Sequence, residues 1–240
     1  MITFAFEHST ICASLALLQD ERVLMERNLP AAERHSQGFF LALEQLWNSG
    51  EFDPASIALF AVGIGPGAFS ALRMTLTAAR GLALPDGKPV VGVPSSEALA
   101  ADVLAETGAA QVTILGDARR DRLWVAAYEH GAELPQPLRP LELLTWDELG
   151  RRAAEDPSLW VTPDWDRIGA RLAALRPAGG SLIRESRVPR ARAVGTLAVR
   201  KQRLGRPTDP PLPIYLHPPV SVEPRAEANG SGPVPGSPPC

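Results

Sequence analysis

The apolar stretches that open the chain predict three strands, Ile2–Phe6, Cys12–Leu18 and Arg22–Asn28. The links between them, Glu7-His8-Ser9-Thr10 and Gln19-Asp20-Glu21, are short enough for hairpins. A helix follows from about Ser36, with Phe39, Phe40, Leu43, Leu46 and Trp47 assigned to one face. Asp53-Pro54 combines a helix cap with a first-turn proline and introduces a short helix that feeds a strand at Ile57–Val62. After a glycine-rich turn, Phe69, Leu72, Leu76, Ala79 and Ala83 recur in steps of 3, 4, 3 and 4, one stripe of a long helix reaching about Leu84. A strand at Val90–Val93 and a helix from about Ser96 to Glu106, closed by Gly108, complete the first half.

The second half starts with strands at Val112–Leu115 and Leu123–Tyr128, separated by Asp117-Ala118-Arg119-Arg120. Thr145-Trp146-Asp147-Glu148 is a capping box for a helix to about Ala154. A strand at Leu159–Val161, helices at Trp165–Leu175 and Ala191–Leu204, and a final strand at Pro213–Leu216 follow. Residues 218–240 are rich in Pro, Gly and Ser and lack periodicity. They cannot bury enough apolar area to offset the entropy of ordering, so a disordered tail is expected. The chain divides into lobes at 1–108 and 109–217, with the tail at 218–240. In the first lobe the order β-β-β-α-β-α-β-α, three antiparallel strands joined to a parallel run, is the ribonuclease-H-like arrangement.

The turn Gly63-Ile64-Gly65-Pro66-Gly67 sits between a strand and a helix, where backbone amides at a positive helix end can cradle a phosphate. It is equally a compact way to fold a strand onto a helix, because glycine tolerates positive φ. A P-loop needs a lysine in the turn; this turn has none, and Lys88 and Lys201 are the chain's only lysines. Gly63, Gly65 and Ala68 fit the dinucleotide fingerprint, but Pro66 removes an amide and no acid ends the Val90–Val93 strand. A packing turn fits the spacing better.

A net charge of −3 gives no global pull toward nucleic acid or anionic membrane. Cys12 and Cys240 imply neither a disulfide framework nor a zinc cluster, which fits a reducing cytoplasm. The N-terminus has no pattern of a secretory signal, and no apolar run approaches the ~20 residues of a membrane helix. His8, His35, His130 and His217 have neither i,i+4 pairing nor cysteine companions. A two-metal nuclease needs converging carboxylates; Glu7 ends the first strand, but the Ile57–Val62 strand ends in glycine. From Arg184 to Arg206 there are eight basic residues against one acid, Glu185. This is either a solvated face or a contact for RNA phosphates, without aromatics for base stacking.

Several motifs, in order, resemble the TsaB (YeaZ) family. They are Glu7-His8-Ser9-Thr10 with Cys12-Ala13-Ser14-Leu15-Ala16-Leu17, His35-Ser36-Gln37, and Gly63-Ile64-Gly65-Pro66-Gly67-Ala68-Phe69-Ser70-Ala71-Leu72-Arg73. Further along come Gly92-Val93-Pro94-Ser95-Ser96-Glu97, Asp117-Ala118-Arg119-Arg120 with Trp124 and Tyr128, and Pro213-Ile214-Tyr215-Leu216. The resemblance is near-continuous over residues 1–130 and thin from 131 to 212. It implies an α/β protein of actin/Hsp70-like (ASKHA) architecture, two ribonuclease-H-like lobes with mixed sheets. It also implies a non-catalytic cytoplasmic subunit of the complex that puts threonylcarbamoyl on the adenosine beside the tRNA anticodon. The implied partners are a TsaD-type catalytic paralogue and a TsaE-type ATPase, with tRNA met through the complex and a homodimer as a further state. ATP and a divalent metal would belong to those partners, with no cofactor, catalytic residue or metal ligand in this chain. Where the family usually has Asp-Thr-Ser-Thr this chain has Glu7-His8-Ser9-Thr10, and Ala68-Phe69-Ser70-Ala71 replaces Ser-Phe-Thr-Gly. A lone ATPase or sugar kinase of the same fold, and a dinucleotide oxidoreductase, remain as alternatives.

The expected partner surface lies on the two helices after Ser36 and Ala68: His35, Ser36, Phe39, Phe40, Leu43, Phe69, Leu72, Arg73, Leu76, Thr77 and Arg80. The tail is expected to be dispensable. A chain ending at His217 should melt within about 1–2 °C of the full chain in a thermal scan. A drop of ~5 °C or more would mean that the tail packs on the body.

Overall fold

The computed structural model describes residues 1–30, 36–175, 177 and 179–216. Strands β1 (Ile2–Glu7), β2 (Ala13–Gln19) and β3 (Arg22–Leu29) form an antiparallel meander. Helix α1 (Ser36–Trp47) leads through a 3-10 turn at Pro54–Ser56 to β4 (Ile57–Gly63), which lies parallel to β1. The Asp53 side chain accepts from the Ala55 amide at the start of that turn. Helix α2 (Phe69–Ala83), strand β5 (Val90–Val93), parallel to β4, and helix α3 (Ser95–Thr107) complete the first unit. Gly108, at φ 66°, ends α3 as the sequence predicts.

The second unit repeats this order. It comprises β6 (Gln111–Arg119), β7 (Arg122–Glu129), β8 (Gln136–Thr145), α4 (Trp146–Ala153), β9 (Leu159–Thr162), α5 (Trp165–Leu175), β10 (Ser181–Ser186) and α6 (Ala191–Arg203). The sheets run β3-β2-β1-β4-β5 and β8-β7-β6-β9-β10, so the two units share one topology. In each, the first strand is central, antiparallel to the second and parallel to the fourth.

Strands β8 and β10 are the elements the sequence pattern did not reveal. Both are edge strands with largely exposed residues, so neither shows a strong apolar run. Pro137 and Pro140 are tolerated in β8 because an edge strand needs only one side of its ladder. The segment Pro213–Leu216, expected as a strand, is irregular, held by one backbone bond from the Ile214 amide to the Ile64 carbonyl at 2.9 Å. Pro211 and Pro213 deprive it of the donors a ladder requires. The tail, 218–240, lies outside the described residues.

Period-two alternation gives each sheet two different faces. On the first sheet Phe4, Phe6, Phe60 and Val62 face α1 and α2. The rings of Phe4 and Phe6 lie 5.0 Å apart, and Phe4 and Trp47 lie 5.9 Å apart. The opposite face presents Ala5, Ala16, Leu18 and Ala61 to α6. These small residues permit close approach; a side chain at Gly195 of α6 would come within 2.4 Å of Leu18. On the second sheet α4 and α5 cover one face, and Leu99, Val103 and Leu104 of α3 cover the other. The last helix of each unit thus packs on the sheet of the other, and α3 and α6 pack together between them. Residue 108 divides the two sheets, and α3 and α6 each cross that division to pack on the other sheet.

Phe39 is fully buried among Phe4-side residues of the first core, and its ring stacks on His8 at 5.6 Å. Phe40, one residue on, is rotated about 100° around the helix and is 46% exposed. Phe39→Ala should therefore act on stability, lowering it by ~3–5 kcal/mol in urea unfolding. A loss below ~1 kcal/mol would contradict its place in the core.

Candidate functional site

A cleft of about 1190 Å³ separates the lobes. Its floor is the glycine turn after β4, with His8, Ser9 and Ile11 beside it. Asp117, Arg119, Trp124 and Arg167 form the opposite wall, and Tyr215 stands at the mouth.

The floor is tied together by Glu7, which is buried at the end of β1. Its Oε1 accepts from the Ser9 amide at 2.6 Å and its Oε2 from Ser95 Oγ at 2.7 Å. Ser95 Oγ also accepts from the Gly65 amide at 3.0 Å, and the Ser95 amide donates to the Gly65 carbonyl at 2.8 Å. The glycines follow from these contacts. A Cβ at Gly63 would lie 1.8 Å from Glu7 Oε2, and one at Gly67 would lie 2.0 Å from the Ser9 carbonyl. Gly65 has φ 91°, and its bond to Pro66 is cis. The Ile64 amide is taken by the Val93 carbonyl and the Ala68 amide by the Ser9 carbonyl, at 3.0 and 2.8 Å. Three amides of a turn shaped to hold a phosphate are therefore spent on the chain itself. The packing reading of this turn has a direct structural basis, and the lead residue missed from sequence is Ser95, whose partners lie 30 and 88 positions away.

The second wall is a hairpin tip. Arg119, Arg120 and Asp121 all have positive φ, at 65°, 52° and 56°. The strain is held by side chains: the Arg119 amide donates to Asp117, the Asp117 amide to Asp164, and Arg171 pairs with Asp121 at 2.7 Å. Arg167 bridges Asp164 and Asp117. Gly116 is a packing glycine, since a Cβ there would lie 2.1 Å from the Trp124 ring. Among the described residues no group of three or more His, Cys, Asp or Glu is placed to hold a metal ion. Three donors of the floor are thus engaged within the chain, and the opposite wall carries Arg119 and Arg167 beside the carboxylates of Asp117 and Asp164.

The expected partner residues divide by burial. Phe39, Leu43 and Leu76 are buried in the first core, and Leu72 is buried against the glycine turn. Ser36, Phe40, Phe69, Arg73, Thr77 and Arg80 are exposed, and His35 lies outside the described residues. The stripe read along α2 was correct for Leu72, Leu76, Ala79 and Ala83, while Phe69, in the first turn beyond the sheet edge, is 50% exposed.

The basic stretch near the C-terminus is largely neutralised in space. Arg187 meets Glu106 and Glu185, Arg192 meets Asp102, Arg200 and Arg203 share Glu21, and Arg203 also meets Glu133. Lys201 is buried and donates to Glu97 at 2.7 Å, with Asp209 at 3.8 Å. Burial pushes the Glu97 carboxyl up, and Lys201 opposes that shift. No helix among the described residues is long and apolar enough to cross a membrane.

Two solved structures from Pseudomonas aeruginosa superpose on nearly the whole chain. One, an uncharacterized protein with similarity to peptidase YeaZ, has TM-score 0.75 at 23% identity and covers 90% of this chain and 99% of that one. The other, YeaZ, has TM-score 0.73 at 22% identity, with 89% and 100% covered. The duplicated five-stranded sheets around a central cleft define a protein of the actin/Hsp70-like (ASKHA) fold. Two curated relatives carry the name tRNA threonylcarbamoyladenosine biosynthesis protein TsaB. That of Bacillus subtilis (strain 168) is 27% identical over 152 residues, 62% of this chain and 66% of the relative. That of Escherichia coli (strain K12) is 29% identical over 147 residues, 58% of this chain and 63% of the relative. The chain thus spans slightly less than two thirds of the length of these curated relatives. Residues 29–137 also match the family described as TsaD, tRNA N6-adenosine threonylcarbamoyltransferase. The chain is thus similar in sequence to TsaB proteins and in fold to YeaZ.

Burial pushes the Glu7 carboxyl above its ordinary value of 4.5, and its bonds from Ser9 and Ser95 only partly offset this. A carboxyl raised in the folded state holds its proton more tightly there than in the unfolded chain. Its contribution to stability is full below pH 4.5 and is lost as pH rises toward the native value. Glu7→Gln mimics the protonated form, keeping an acceptor for Ser9 and a donor toward Ser95. Its stability relative to wild type should increase as pH rises above about 4.5, measured by urea unfolding from about pH 4 to 8. A difference that stays flat over that range would mean that Glu7 titrates as an exposed carboxyl does.

Proposed function

We propose that this chain is a non-catalytic scaffold or activator subunit. It pairs with a TsaD-type catalytic paralogue to install threonylcarbamoyl on the adenosine next to the tRNA anticodon, with a TsaE-type ATPase joining the assembly. The observation that carries this reading is the floor of the cleft. The turn where a phosphate would rest gives its amides to Ser9, Val93 and Ser95, and Glu7 spends both oxygens on Ser9 and Ser95. A nucleotide would have to break those bonds to enter. The names of the TsaB relatives supply the pathway, and the match to the TsaD family supports a paralogous partner of related fold.

ATP and a divalent metal are placed in the partner subunits, and tRNA is met through the complex, in the cytoplasm. The exposed residues Phe40, Phe69, Arg73, Thr77 and Arg80 on α1 and α2 are offered as the docking face, which a homodimer could share. A buried aromatic or arginine anchor at such a face typically contributes ~2 kcal/mol or more.

Purified alone, the protein should turn over no ATP above background and should not modify tRNA. With the catalytic subunit, the ATPase subunit, tRNA and the adenylate-forming enzyme present, modification should depend on adding this chain. Robust ATPase activity from the single protein, abolished by Gly65→Val, would replace this reading with that of an ATPase or sugar kinase acting alone.

A further inference from the structure

Beyond α6 the chain turns at Gly205, which has φ 61°, and runs back across the body as an irregular strap. Its root is fixed at Asp209. The Asp209 carboxylate lies 3.8 Å from Lys201 Nζ of α6, and the Asp209 carbonyl accepts from the Gly92 amide of β5 at 2.8 Å, an isolated antiparallel bridge at the edge of the first sheet. Gly92 permits this approach, since a Cβ there would lie 2.7 Å from the Pro210 carbonyl. Further along, Arg80 Nη2 of α2 donates to the Pro211 carbonyl at 2.8 Å, and the Ile214 amide donates to the Ile64 carbonyl at 2.9 Å. Pro210, Pro211 and Pro213 stiffen the run by fixing φ.

The end of the strap divides between the two lobes. Ile214 packs against the first core. Leu216, two residues on, packs against the core between α3 and the second sheet, which holds Ala118 and Trp124. Tyr215 between them is 57% exposed. Ile214 and Leu216 both line the cleft, as do Ala118 and Trp124 of its far wall. The lobes also meet where α3 and α6 pack together, but among the described residues none of either helix lines the cleft. The strap is therefore a second, separate contact between the lobes, at the mouth of the cleft.

We infer that residues 209–216 are an interlobe clamp that limits how far the two lobes can part. Two residues of extended chain span at most about 7 Å. Parting the lobes beyond that reach must draw Ile214 or Leu216 out of its apolar site and into water, which hydrophobic burial opposes. No slack can come from upstream, because the bonds from Gly92, Arg80 and Ile214 hold the strap along the first lobe. A hinge at α3 and α6 alone would leave the lobes free to rotate about it, and a second contact at the mouth removes that freedom. The clamp concerns how the lobes move, and it is independent of the scaffold reading.

The test is a distance between the lobes read by pulsed electron spin resonance. Labels are placed at Glu44→Cys on α1 and Ala170→Cys on α5, both exposed, in the full chain carrying Cys12→Ser and Cys240→Ser. Labelled chains are diluted in unlabelled ones, so that only distances within one chain are read. The chain with an intact strap should give one narrow distribution. Leu216→Ser and Ile214→Ser should each add a population at longer distance and speed hydrogen exchange at the residue 214 amide by roughly tenfold or more. Leu216→Met, which keeps the anchor apolar, and Leu212→Ser, which is exposed on the same strap, should both match the intact strap. Leu216→Ala replaces the serine variant if that chain does not fold. A distribution from the intact strap as broad as those of the anchor variants would overturn the clamp. So would anchor variants that fold by circular dichroism and keep the original distance, or a Leu212→Ser chain that broadens as they do. The scaffold reading is decided separately, by the modification assay.

Discussion

The carboxyl group of Glu7 ties together the three segments that floor the cleft. It reaches the amide of Ser9 on its own loop and the hydroxyl of Ser95 at the start of α3, and through Ser95 it reaches the glycine turn after β4. A buried carboxyl without partners would be costly, and these bonds offset that cost while fixing the loop geometry. The space it needs comes from the missing side chain at Gly63. The glycine turn is thereby a structural joint between β1, β4 and α3.

Around the joint, the two units hold each other by exchange. Helix α3 covers the second sheet and α6 covers the first, so neither inner face can be buried by its own unit alone. Helix α3 makes two buried polar pairs that few core positions would tolerate unpaired, one with β7 and one with α6. Ser96 and Tyr128 share a hydrogen bond at 2.9 Å, and Lys201 donates to Glu97. Burial pushes the Tyr128 hydroxyl well above its usual range, which keeps it a neutral hydrogen-bonding group. Truncating one member of the Lys201–Glu97 pair would leave a buried charge, so this pair fixes how the lobes meet more than it adds net stability.

Surface charge follows a related logic. Arginines on α6 reach acids on the β2–β3 turn and on the loop before β8, and α5 reaches the strained hairpin tip at Asp121. Exposed pairs of this kind contribute little each.

Much of this was set by local pattern. The three opening strands, the αβ run, the Thr145 capping box and the Gly108 stop follow from side-chain period and cap chemistry, which act within a few residues. The resemblance of the glycine-turn motif to the TsaB family is likewise carried by contiguous residues. What the sequence could not decide involves partners far apart along the chain. Strands β8 and β10 exist because a neighbouring strand offers them hydrogen bonds, and their own residues, exposed at sheet edges, record little of it. Periodicity placed Phe39, Phe40, Leu72 and Phe69 on apolar stripes, but only packing against the sheet made Phe39 and Leu72 core and left Phe40 and Phe69 outside. Eight basic residues in sequence read as a charged face until five of them met carboxylates from other elements. Glu7 stands at a strand end where a two-metal nuclease would need one carboxylate, while the Ile57–Val62 strand ends in glycine. The approach of Ser95, 88 residues away, made it a joint instead, because hydrogen bonds act through space and a one-dimensional pattern carries no distances.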